Sequence, residues 1–415
     1  MSRELLQVLA QRPGCTGSGM YLQSLYRAAG RNSYDQAVVA AANKNNKFQD
    51  LGYLEREDFY PVLFESEELS CSIYGMSDVM PYESSRYCDM SREEQQCWET
   101  AFRAKIQKAR QSLVRPVVIA HHLWLLTALT AEEFTGLPVL GICHGTGLRQ
   151  LQQNSRFASR VKQGISRLER IFALNDFQKE EIRRLFEYPG EKITVTGLGY
   201  NEENFYFPTE TELGERLEKR QPEIIYVGKL SLSKGISSLL RACDQISERD
   251  FKVTLIGSGQ GRDIRQIKEL AERVSCPVKF TGQLKQEEVG RLLRHADIFC
   301  LPSFYEGFAL VLLEALASGL RVVSSDLPGV RNWLPEIVRQ SPAVEFVELP
   351  ELKNVDQPVP AQLPGYEAEL AAALEKQLQQ RGKLNFLQNG DYRTAVKSLS
   401  WSGVFHRLES HFPET

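Results

Sequence analysis

Two glutamates and two lysines carry the strongest chemical signal in this chain. Glu306 and Glu314 stand eight positions apart in the stretch DIFCLPSFYEGFALVLLEALASGLRVVSSDLP, residues 297–328. Glu314 is the one charge inside the apolar segment from Phe308 to Ala317, whose hydrophobicity on every side predicts a buried helix. A buried carboxylate is costly unless something donates hydrogen bonds to it. Glu314 therefore requires either an internal Arg or Lys partner or a polar ligand. Glu306 lies in the loop feeding the helix, whose free N–H groups and positive dipole end suit phosphate. Two carboxylates flanking such a helix end fit a sugar phosphate, although a close carboxylate pair is also what glycosidases use for acid and base work. Lys229 and Lys234, five apart in GKLSLSKG between a strand and a helix, would place two ammonium charges on a diphosphate. As ordinary surface lysines they would simply be solvated.

The N-terminal half offers three histidines and a glycine-bearing loop. His121 and His122 end an apolar run from Val117 to Ala120, and His144 ends another from Pro138 to Cys143. Both sites fall at the C-terminal ends of expected strands, where open α/β sheets place ligands. Each imidazole could instead be satisfied structurally by a neighbouring backbone group. In RPGCTGSG, between an expected strand over residues 5–10 and a helix over 21–29, Gly17 and Gly19 are candidates for phosphate contact. Turn geometry alone would also explain them.

The elements that must position these residues alternate along the chain. Apolar runs near residues 37–42, 117–120, 138–143, 171–174 and 193–195 are separated by helical periodicities, which predicts a parallel sheet. Residues 43–115 interrupt the pattern as a polar, aromatic-bearing insertion, closed by an amphipathic helix over 93–113 with Trp98, Phe102, Ile106 and Ala109 on one stripe. It could wall an acceptor pocket or be surface elaboration. Residues 208–222 are charged and mark a linker or surface helix. A second strand–helix series then runs through 223–227, 252–256, 278–281, 298–301 and 321–323. Gly257, Gly259 and Gly261 do not match the GxGxxG dinucleotide fingerprint, so a nicotinamide cofactor is not supported. Residues 342–364, with five prolines, read as an irregular excursion, followed by helices over 366–380 and within 392–412.

A length of 415 residues predicts two domains, and 42% hydrophobic with 25% charged residues is ordinary for a soluble globular protein. The net charge of −3 lacks the global basic field expected of a nucleic-acid binder. Eight cysteines show no CxxC or zinc-ligand spacing, which fits a reducing, cytoplasmic setting. The opening MSRELLQVLAQRPG lacks a secretory pattern, and no run of about 18 apolar residues suggests a spanning helix.

Taken together, Glu306-Gly307-Phe308 followed by Glu314-Ala315, the loop GKLSLSKG and the segment KITVTGLGYNEENFY resemble the retaining GT-B glycosyltransferases of group 1, often called family 4. The resemblance implies two Rossmann-like βα domains facing each other across a cleft. The implied boundaries are 1–205 on the acceptor side, with the insertion around 43–115, and 206–390 on the donor side, with a C-terminal helix in 391–415 crossing back. It implies transfer of a sugar from a nucleotide diphosphate sugar to a hydroxyl acceptor, with retained configuration and without an obligatory metal. The chain has no DxD motif.

By this resemblance Lys229 and Lys234 hold the donor diphosphate, with Gly17 and the backbone N–H groups of Gly307, Phe308, Ala309 and Leu310. Glu314 holds the ribose, Glu306 the sugar hydroxyls, and His144 in CHGTG lies near the reacting sugar. Lys229 stands where the family commonly has Arg, losing the bidentate fork, and Ala309 replaces a usual glycine. No cofactor beyond the donor is implied. The acceptor would be a glycan, a lipid-linked or a small hydroxyl compound, and peripheral membrane contact stays open. The alternatives are a GT-B sugar-nucleotide hydrolase or epimerase, a sucrose-synthase-like enzyme, or a non-catalytic sugar-nucleotide-binding subunit.

Overall fold

The computed structural model describes residues 3–49, 51–218, 221–247 and 250–413. Residues 1–2 and 414–415, the ends of the first and last expected segments, lie outside that description. The chain forms two compact units, residues 1–197 with 404–415, and residues 198–403.

The first unit is built on seven parallel strands: β1 (Arg3–Leu9), β2 (Tyr34–Asn43), β3 (Phe59–Phe64), β4 (Val117–His121), β5 (Val139–Ile142), β6 (Arg170–Ala173) and β7 (Ile193–Val195), in the order β3-β2-β1-β4-β5-β6-β7. All six pairings are parallel. The inner strands are buried on both faces, as crossover helices require. The connection β1–β2 is helix α1 (Gly17–Arg31), opened by Thr16, whose hydroxyl accepts from the Gly19 N–H at 3.1 Å. Phe59–Phe64 corrects the reading of residues 43–115 as wholly an insertion outside the sheet, because it forms the edge strand beside β2. Val62 and Phe64 pack into the main core on one face and Phe59 into a smaller cluster on the other, a partly covered strand too short to stand out among the surrounding polar residues. Helix α2 (Arg92–Gln111) starts at a Ser91–Glu94 capping box and buries Trp98, Phe102, Ile106 and Ala109, the expected stripe. Helix α3 (Leu125–Glu133) follows β4.

The last helix, Trp401–Glu409, brings residues from Val404 onward into this unit. Phe405 meets Tyr34 edge-on at 5.5 Å, Arg407 donates to the Thr196 carbonyl at 3.0 Å, and Glu409 pairs with Arg3 at 2.8 Å.

The second unit carries six parallel strands: β8 (Glu223–Val227), β9 (Lys252–Ile256), β10 (Val278–Gly282), β11 (Ile298–Leu301), β12 (Arg321–Ser325) and β13 (Val344–Val347), in the order β10-β9-β8-β11-β12-β13. β13 lies inside the proline-bearing stretch expected to be irregular, and pairs with β12 from Val322–Val344 to Ser325–Val347. Helices α4 (Ile236–Gln245), α5 (Gly261–Ala271) and α6 (Leu310–Ala317) follow β8, β9 and β11. Both sheets are doubly wound. The strand order reverses between β1 and β4 in one and between β8 and β11 in the other, and ligands of such sheets bind beyond the strand ends at that reversal. No helix among the described residues is long and apolar enough to cross a membrane.

Candidate active site

In the second unit the reversal point lies between the loops after β8 and β11, and these carry the lysines and glutamates. The β8 loop is tied to the loop after β9 by main-chain bonds, Gly228 N–H to Ile256 O and Leu230 N–H to Ser258 O, both 2.9 Å. That approach needs Gly257, with φ of +137° and its Cα facing Gly228, since a Cβ there would sit 1.9 Å from the Gly228 oxygen. The chain then turns through a short 3-10 helix, Leu232–Lys234, and Gly235, whose φ is +66°. This turn aims Lys234 at the β11 loop. Its Nζ pairs with Glu306 Oε2 at 2.8 Å and donates to the Tyr305 carbonyl at 3.1 Å, while Ser303 Oγ donates to Glu306 Oε1 at 2.7 Å. Glu306 is thus held from both sides by groups on two different strand ends.

Lys229 is exposed and lines a cavity of about 470 Å³ with Gly228, Ser258, Gly259, Gln260, Gln283, Leu284 and Val289. Three loops at the C-terminal ends of β8, β9 and β10 contribute to it. Glu314 lies inside α6, 8% exposed, and burial pushes its carboxyl up to about 7. Among the described residues no group pairs with or donates to that carboxyl, which excludes the internal salt bridge there. Of the four N–H groups expected to form a cradle, that of Leu310 is turned onto the Phe308 carbonyl at 3.0 Å, and Ala309 caps the helix without a side-chain bond. Those of Gly307, Phe308 and Ala309 donate to no described main-chain carbonyl or side chain.

In the first unit the reversal point gathers the three histidines, with two glutamines from β1 and the loop after it. His121 Nε2 lies 3.0 Å from Gln7 Oε1, and its Nδ1 lies 3.0 Å from His144 Nε2. His122 Nε2 lies 3.2 Å from Gln11 Oε1, which also accepts from Ser18 Oγ at 2.9 Å, and Thr146 Oγ1 lies 3.0 Å from His122 Nδ1. His122 adopts φ of +70°, a sparsely populated conformation for a non-glycine residue, and its carbonyl accepts from the Thr127 hydroxyl. Desolvation lowers His121 and His122 to about 3 and holds His144 well below the usual range, with neighbouring imidazoles adding to the effect at His121 and His144. All three are neutral near pH 7. Tyr21 packs its edge against the His144 ring at 5.1 Å. Of the two glycines in the β1–α1 loop, Gly19 has a packing reason, because a Cβ would meet the Pro13 carbonyl carbon at 2.7 Å, whereas Gly17 faces open space.

The structure therefore joins Lys234 to Glu306, sets Lys229 in a neighbouring cavity, and seats His144 among its fellow histidines. Sequence reasoning missed Ser303, Gln283, Leu284, Gln7 and Gln11. Gln7 left a signal, being a polar residue inside the apolar run Leu5–Leu9 of the central strand. The others are ordinary loop residues until the strand ends converge.

Two Rossmann-like parallel-sheet units, the second with its cationic and acidic groups at the sheet reversal, define the GT-B fold. HepE of Anabaena, solved in complex with UDP, shares it with a TM-score of 0.63 at 14% identity over 98% of both chains. Residues 210–338 match the family described as "Glycosyl transferases group 1". It is 32% identical over 167 residues to the uncharacterized glycosyltransferase MJ1607 of Methanocaldococcus jannaschii, spanning 39% of this chain and 43% of that protein. It is 33% identical over 177 residues to O-antigen chain mannosyltransferase B of Escherichia coli, spanning 40% and 45%. The chain thus spans under half the length of these two relatives.

Proposed function

We propose that this protein transfers a glycosyl group from a nucleoside-diphosphate sugar to a hydroxyl acceptor, with retention at the anomeric carbon. The observation that carries this reading is the Lys234–Glu306–Ser303 cluster at the reversal of the second sheet, next to the Lys229 cavity. HepE was solved with UDP, which supports a nucleoside diphosphate for this chain. In the proposed complex the nucleoside lies in the Lys229 cavity against Gln283 and Leu284, and the ribose hydroxyls supply the partners that Glu314 lacks. Breaking the anomeric bond places negative charge on the departing diphosphate. Lys229, Lys234 and the N–H groups of Gly307, Phe308 and Ala309 would stabilise that charge, with Gly17 as a further phosphate contact. Glu306, held by Lys234 and Ser303, would bind hydroxyls of the transferred sugar, with His144 beside it. The acceptor hydroxyl attacks the face the diphosphate leaves, and the leaving phosphate takes its proton.

The test is a thermal-shift panel of UDP, GDP, ADP and TDP, followed by turnover of the matching sugar donor with the product anomer read by NMR. Binding of one nucleotide and a product of retained configuration are expected. Turnover that proceeds identically without any acceptor would indicate a hydrolase or epimerase. Binding without turnover across a broad acceptor panel would indicate a non-catalytic subunit.

A further inference from the structure

We propose that His121 is a positioning residue that fixes the ring tautomer of His144, so that His144 presents a bare Nδ1 and engages its ligand as a hydrogen-bond acceptor. The proposal rests on the reading above, that His144 lies beside the transferred sugar. His121 is 1% exposed, with both ring nitrogens engaged. The Gln7 amide presents Oε1 to His121 Nε2 at 3.0 Å, and with the amide in that orientation the His121 proton sits on Nε2. A neutral imidazole carries one ring proton, so His121 Nδ1 holds a lone pair, and His144 Nε2 must donate across its 3.0 Å contact. That uses the single ring proton of His144. Its Nδ1 is then bare, and among the described residues nothing donates to it.

The geometry is held rigidly. The His121 and His144 rings stack at 5.3 Å with 11° between their planes, and Tyr21 closes on both edge-on, at 6.1 Å and 5.1 Å. The neighbouring His122 is anchored independently by Gln11 and Thr146. Direction thus runs from Gln7 through His121 to His144, over residues brought together from β1, β4 and the loop after β5.

The chemical consequence is selectivity. A bare nitrogen accepts from a hydroxyl and repels a phosphate or carboxylate oxygen. It also cannot protonate a leaving oxygen. The ligand group facing His144 is therefore a sugar hydroxyl acting as donor, and a deoxy sugar at that carbon would lose the contact.

The ring protonation can be read directly from ¹⁵N chemical shifts in full-length protein labelled at its six histidines, with His144→Gln used for assignment. The expected wild-type spectrum has His144 protonated at Nε2 and unprotonated at Nδ1. Gln7→Glu, whose carboxylate also only accepts, should keep that pattern, whereas His121→Leu should give mixed tautomers. Turnover should fall roughly tenfold in His121→Leu, the worth of one hydrogen bond made in the transition state, with donor KM little changed. His121→Asn, whose amide oxygen can replace the Nδ1 acceptor, should recover part of it. A protonated Nδ1 on wild-type His144, or an unaltered tautomer in His121→Leu, would overturn the proposal. If the spectra behave as expected but His144→Ala leaves turnover intact, the placement of His144 at the sugar is wrong while the relay through His121 stands.

Discussion

Replacing Glu314 by Gln should stabilise the ligand-free protein at neutral and alkaline pH while weakening nucleotide binding. The carboxyl is 8% exposed and unpartnered among the described residues, and burial holds it at about 7 against an ordinary 4.5. Because the folded state binds this proton more tightly than the unfolded chain, the sign is that of a destabilising group. Its contribution is absent below about 4.5, grows as pH rises from about 4.5 to about 7, and is constant above that. Ionised at pH 8, it costs the folded state at most about 3 kcal/mol, from roughly 1.4 kcal/mol per pH unit. Gln has the same shape and no charge, so Glu314→Gln should melt some 6–12 °C higher than wild type at pH 8, from the roughly 2–4 °C per kcal/mol of a unit this size. At pH 4.5 the two should coincide. Thermal unfolding at both pH values, followed by tryptophan fluorescence, makes the comparison. In the same samples the nucleotide-induced shift should be smaller for the variant, since an amide replaces the carboxyl proposed to meet the ribose. A variant that melts with wild type at pH 8 would refute the claim that this carboxyl is buried without a partner. Residues that weaken the fold while serving a ligand are a recurring feature of binding sites.

Other outcomes follow from the same geometry. Lys234→Ala removes the cation shared by Glu306 and the proposed diphosphate, so kcat/KM should fall on the order of 100-fold or more with the melting temperature changed little. Gly257→Ala would force a Cβ to 1.9 Å from the Gly228 oxygen at a positive φ, so the second unit should lose both stability and nucleotide binding, detectable by calorimetry and thermal shift. Cys15, Cys88 and Cys97 are exposed and Cys143, Cys243, Cys276 and Cys300 buried, so a thiol reagent should label the first three quickly and the last four only on unfolding, as intact mass spectrometry would resolve.

Local pattern made much of the fold readable. The strands Glu223–Val227, Lys252–Ile256 and Ile298–Leu301 are predominantly apolar runs of the kind that central parallel strands require, and they fall where the run lengths put them. Helix α2 announced itself by its apolar stripe. The edge strands did not. Phe59–Phe64 and Val344–Val347 are short and half-exposed, and one is embedded in a polar stretch and the other among prolines, so their membership of a sheet depends on the neighbouring strand.

The same division holds for the site. Sequence alone determined which residues are chemically out of place: a lone glutamate in an apolar helix, two lysines in one glycine-bounded loop, and histidines at strand ends. These follow from spacing and hydrophobicity, which are local. Only the tertiary structure decided what each one meets. Lys234 finds Glu306 across two strand ends, His121 finds Gln7 more than a hundred residues away, and Glu314 finds no partner among the described residues. Parallel strands are joined by long crossovers, so residues at adjacent strand ends are distant in sequence, and their pairing is fixed by sheet order rather than by any local signal.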